Sequence, residues 1–72
     1  MNQEEINHHY NSAMDSVNLI LNGKDEDTTQ EEWNEIVDRN KRHLEIMVSK
    51  DFMINSDKDL QPFHDAINSV NG

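Results

Sequence analysis

Between Asn2 and Asn22 the apolar residues Ile6, Tyr10, Ala13, Met14, Val17, Ile20 and Leu21 recur at intervals of three and four. At about 100° per residue they fall within one arc of roughly 120°, so the segment predicts an amphipathic helix over 3–22 with a single face to bury. Asn22-Gly23 supplies its stop, because glycine takes left-handed backbone without steric cost. The run KDEDTT that follows reads as a solvated turn.

Thr29-Gln-Glu-Glu32 has the form of a capping box, with Thr28 and Glu31 offering the neighbouring register. It opens a second helix over 29–51, whose apolar arc is Trp33, Ile36, Val37, Leu44, Met47 and Val48, interrupted by Asn40. Trp33 is expected in the core. In MINSDKD the polar residues Asn55, Ser56 and Asp57 favour local hydrogen bonds over continued helix, so this stretch reads as a turn. A third, short helix is expected over 59–70, with Pro62 in the first turn where its missing donor is harmless and Leu60, Phe63, Ile67 and Val70 on one face. The fold class that follows is all-α, an antiparallel helical hairpin with a short third helix, forming one small domain over 1–72.

Composition narrows what such a domain can do. At 72 residues with 33% apolar content, the core is undersized, and chains below roughly 70–80 residues usually draw support from disulfides, metal or oligomerisation. There is no cysteine, which removes disulfides, thiolate metal sites and cysteine nucleophiles together. The apolar runs within NLIL and DFMI fall far short of the roughly 20 residues of a membrane span, and no basic region followed by an apolar one opens the chain, so neither a membrane partner nor a signal peptide is expected. The formal net charge of −9 opposes binding to a phosphate backbone, so no direct nucleic-acid binding is expected.

Charge is unevenly spread. Residues 1–32 hold eight acids and one base, while residues 33–72 hold seven acids and five bases. Four of the six bases lie within RNKRHLEIMVSK, residues 39–50. On a helical projection Arg39, Arg42, Ile46 and Lys50 share a face, with Ile46 roughly 140° from the apolar arc, so an isoleucine bracketed by bases is expected in solvent. Glu35 to Arg39 and Asp38 to Arg42 are acid-before-base pairs at i,i+4, which read as ordinary surface pairing. In an antiparallel hairpin about the 23–28 turn, however, residues 39–42 face 9–12, where no acid is available. The basic patch is then free for another protein's acidic surface, with Ile46 as the apolar contact and the arginines as its anchors.

Other chemistry finds little footing. His8, His9, His43 and His64 show no metal-ligand spacing, and adjacent helical residues point about 100° apart, which keeps His8 and His9 from sharing a site. His9, His43 and His64 lie on the flanks of apolar arcs, where half-burial is the common case. Asp25-x-Asp27-x-Thr29 resembles a calcium loop, but Gln30 stands where glycine is needed and Ile36 where the bidentate glutamate belongs. Helices this short leave little room for a substrate pocket. No metal, cofactor or catalytic residue is therefore nominated, and the chain is expected not to be an enzyme.

RHLEIMVSKDF followed by DLQPFHDAI, residues 42–67, resembles short acidic proteins of tailed bacteriophages, particularly marine ones, in the sequence of HLEIM, KDF and DL-x-PF-x-DAI. Those proteins often carry an aromatic after the KDF phenylalanine, where this chain has Met53. The resemblance implies a phage-encoded accessory protein located in the cytoplasm of the infected bacterium or in the virion, and implies no activity or functional residues. It suggests that Leu44 and Met47 pack inward while Phe52 and Phe63 clamp the third helix onto the hairpin, an assignment that the periodicity gives as well. The expected function is protein–protein interaction, with a second copy of the chain as one partner. An acidic inhibitor that mimics nucleic acid and binds a host protein is the first alternative, and a small virion component the second.

Overall fold

The computed structural model describes residues 2–71. Its first helix, α1 (Gln3–Asn22), begins where the Asn2 side chain accepts the Glu5 amide at 2.8 Å. That bond satisfies one of the donors a helix N-terminus leaves free. The helix stops at Gly23, whose φ of 80° and ψ of 179° place it in extended backbone of reversed hand, essentially reserved for glycine. This is not the left-handed helical cap expected from Asn-Gly, yet the residue type is required for the same reason.

The second helix, α2 (Gln30–Ser49), is opened by Thr29, whose hydroxyl accepts the Glu32 amide at 3.1 Å. Thr28 instead donates its hydroxyl to the Asp25 carboxylate at 2.7 Å, which settles the register between the two threonines. Helix α2 ends earlier than the expected 51. The Lys50 amide closes onto the Met47 carbonyl at 3.2 Å, and the Lys50 backbone then turns extended at ψ 132°. A separate short helix follows, α3 (Asp51–Ile54), where a turn was expected from residue 53. The last helix, α4 (Gln61–Asn71), starts two residues later than the expected 59. The Asp59 carboxylate accepts the Gln61 amide at 3.0 Å, and Pro62 occupies the first turn.

The break at Lys50 has a packing cause. In an uninterrupted helix, Met53 would point roughly 160° away from the apolar arc of α2. After the break it is fully buried. Among the described residues the fold is all-α without a strand, with two long helices packed as a hairpin and α4 packed against both of them. The core consists of Ala13, Val17 and Ile20 from α1, Leu44 and Met47 from α2, Met53 from α3, and Phe63 and Ala66 from α4.

Tyr10 fastens the returning chain to α1. Its ring lies 5.3 Å from that of Phe63, its hydroxyl donates to the Asp59 carbonyl at 3.2 Å, and the Lys58 ammonium sits 5.4 Å from its centroid. Phe52 meets His9 with ring centroids 5.3 Å apart. The domain is nonetheless extended. Its radius of gyration is 12.9 Å, against about 11 Å for a compact chain of this length.

Truncating Met53 to alanine tests the break directly. The expected loss is about 2–5 kcal/mol in chemical denaturation, as for a buried methionine. A loss close to zero would place Met53 in solvent on a continuous second helix.

Candidate functional site

Thr29 sets the phase of α2, and that phase carries Arg39, Arg42 and Ile46 along the side of the helix opposite its buried residues. All three are exposed, Ile46 by 54%. The basic character of this face is only partly neutralised. The Arg42 guanidinium meets the Asp38 carboxylate at 3.1 Å, with 74% of the arginine side chain still exposed. Lys41, on a different side of the helix, approaches Glu45 at 3.9 Å. Among the described residues no carboxylate comes within ion-pair distance of Arg39, so the expected Glu35–Arg39 pair does not form. Exposed pairs of this kind contribute only a few tenths of a kcal/mol, too little to hold two solvated side chains together reliably.

Lys50 is exposed as well, but it does not belong to the same helical face. Its extended backbone takes it out of α2, so its direction is set by the link to α3 rather than by the helical repeat. The structure thus assembles three of the four expected surface residues along one helix and sets the fourth apart.

A second group of charges surrounds the end of the hairpin. Asp25, Glu26, Asp27, Glu31 and Glu32 are all exposed. The Asp25 carboxylate accepts the Thr28 hydroxyl and the Asp27 amide, at 2.7 and 3.1 Å. The Thr28 hydroxyl is the main reason its pKa lies below the ordinary 3.8; desolvation opposes the shift, and the Asp27 and Thr28 amides and the Lys24 charge add to it. The Lys24 ammonium in turn donates to the Thr28 carbonyl at 3.0 Å. These bonds make a tied turn.

The histidines do not converge. His8 and His64 are exposed, the latter against expectation, and His9 is half-buried beside Phe52. His43 is half-buried with its Nε2 shut away from solvent and without a hydrogen-bond partner. Among the described residues no three side chains of metal-ligating type gather, no cavity opens, and no helix is long and apolar enough to cross a membrane.

Trp33 departs from its expected place. It is half-buried and, with Ile36 and Val37, stands outside the buried cluster, although all three share the arc of Leu44 and Met47. Periodicity shows which side of a helix is apolar; it does not show how far along the helix the covering elements reach. Comparison with protein-family models, with curated proteins and with solved structures finds no match for the chain.

Two measurements follow from these groups. An Asp25 held ionised in the fold stabilises it above the ordinary carboxylate pKa, and that contribution disappears as pH falls through the lowered value. Thr28→Val should move the Asp25 midpoint up toward 3.8 in a side-chain NMR titration; an unmoved midpoint would assign the shift to other groups. Replacing His43 by methionine removes the stranded nitrogen and should raise stability, by up to about 1–3 kcal/mol. A lower thermal midpoint would show that the imidazole makes contacts methionine cannot replace.

Proposed function

We propose that this chain is a phage-encoded accessory protein without catalytic activity, acting by contact with another protein through the outward face of α2. The observation that carries the reading is Ile46. A large apolar side chain, more than half exposed, stands on the same face as two exposed arginines, one of which has no carboxylate partner among the described residues. Interface centres combine such features: an apolar contact that loses its water, with arginine forks able to bind acidic groups around it. The partner's complementary surface is accordingly acidic with an apolar recess. The resemblance of residues 42–67 to phage proteins supports the phage origin and, with it, a place in the infected bacterial cell or in the virion.

The reading of the chain as a nucleic-acid mimic asks for carboxylates in a continuous strip. Glu4 and Glu5 lie at one end of α1 and the acidic turn at the other, with the exposed Asp15 as the one carboxylate along the roughly 25 Å of helix between them. This arrangement favours the protein-contact reading over the mimic. A virion component remains compatible with the same face, because an assembly neighbour is also a protein partner.

Ile46→Glu and Arg42→Glu test the proposal. Both positions are exposed, so helicity by circular dichroism should stay unchanged. Affinity capture from infected cells should recover a partner with the parent chain and lose it with either variant. Recovery of the same proteins at the same yield with both variants would leave this face as ordinary solvated surface.

A further inference from the structure

The apolar arc of α2 is longer than the core that covers it. Leu44 and Met47 are buried, while Trp33, Ile36 and Val37, on the same arc nearer the hairpin turn, are only partly buried and lie outside the cluster. On the facing helix Leu21 is 57% exposed. The excess shows in the whole molecule: its accessible surface is 4989 Å², against roughly 4,600 Å² for a compact monomer of its 8.4 kDa.

The charges beside this seam are self-complementary. Glu32 and Arg39 are seven residues apart, so they lie on nearly the same flank of the Trp33–Ile36 arc. Both are exposed, and neither has an ion-pair partner among the described residues. When two copies of α2 lie antiparallel about a two-fold axis at Glu35, each Trp33 falls opposite Val37 and within one residue of Ile36 of the second copy. The same register brings each Glu32 alongside Arg39 of the second copy. One symmetric contact therefore supplies two apolar layers and two ion pairs, as a two-fold interface requires.

We propose that the chain self-associates through this seam, two hairpins pairing along the turn-proximal half of α2 with Trp33 and Ile36 at the centre and Glu32 bound to Arg39 across the interface. The inference rests on the reading of the protein as one that works by protein contact, and names a second copy as a partner on the turn-proximal seam, which shares Arg39 with the face around Ile46 but not Ile46 itself. Each copy carries −9, so the field between whole molecules is repulsive. At about 0.1 M salt the Debye length of about 10 Å screens that field while leaving pairs in contact largely intact.

The experiment is sedimentation of the full chain across a concentration series at about 0.1 M salt, with the emission of its single tryptophan read in parallel. A dimer is expected, with Trp33 emission shifting to shorter wavelength as it forms. Glu32→Lys and Arg39→Glu should each raise the dissociation constant by about tenfold or more, because each removes both symmetric pairs and creates like-charge contacts. The combined exchange should restore association, whereas Ile46→Glu should leave it unchanged. A monomer at every concentration would overturn the proposal, as would a dimer indifferent to both single exchanges. Loss of association in Ile46→Glu alone would move the interface to the outward face and leave the protein-contact reading standing.

Discussion

The interruption at Lys50 is the constraint on which the rest of the fold depends. A hairpin of two amphipathic helices buries one stripe on each and leaves an open side. Closing it requires the chain to leave the axis of α2 and return, and the extended backbone of Lys50 makes that change of direction. It turns Met53 from solvent into the core, allows residues 55–60 to cross to Tyr10, and delivers Phe63 and Ala66 to the buried cluster. Phe63, Leu44, Met53 and Val17, the largest fully buried side chains, come one from each helix. With so few apolar residues available, none of the four helices has a core of its own.

How much of this was legible in the sequence depended on the kind of signal. The hairpin and the polarity of its helices follow from the spacing of Ile6 through Leu21 and Trp33 through Val48, and the exposure of Ile46 follows from the same projection. Caps could be read where they are chemical and local: Thr29 and Gly23 each satisfy or release backbone groups within a few residues, whereas the Asn2 cap emerged only from the structure. Lys50 and Met53 were not legible, since no proline or glycine marks the break. Its gain is a tertiary one, the burial of Met53 together with the return of α4, and appears only once α4 is in place. The same limit explains Lys50 in the candidate surface. Its membership there depended on the helical repeat continuing for one more residue.

Trp33 shows the limit from the other direction. Its pattern is that of a core residue, and its side of the helix is the apolar one, yet the buried cluster does not include it. Aromatic content is low enough that a tryptophan left partly exposed is a substantial fraction of what the chain could bury: two phenylalanines, one tyrosine and one tryptophan are all it has. The three smaller aromatics gather around the return of the chain, Phe63 and Phe52 with Tyr10 and His9. The largest stays near the turn.

That division separates two tasks along α2. Toward its C-terminal end the inner side is committed to the core, and only the outward face with Arg42 and Ile46 is free to meet anything else. Toward its N-terminal end the inner side itself remains partly free, bordered by acids from the turn and by Arg39. A protein this small gains little from more internal packing, because its length limits how many layers can be covered. Apolar surface on the turn-proximal part of the hairpin is left partly uncovered, with acids of the turn beside it. Under the proposed self-association, the sparse core and the bases of α2 would act together: apolar residues left at the surface would supply the contact, and the charges beside them would select its register.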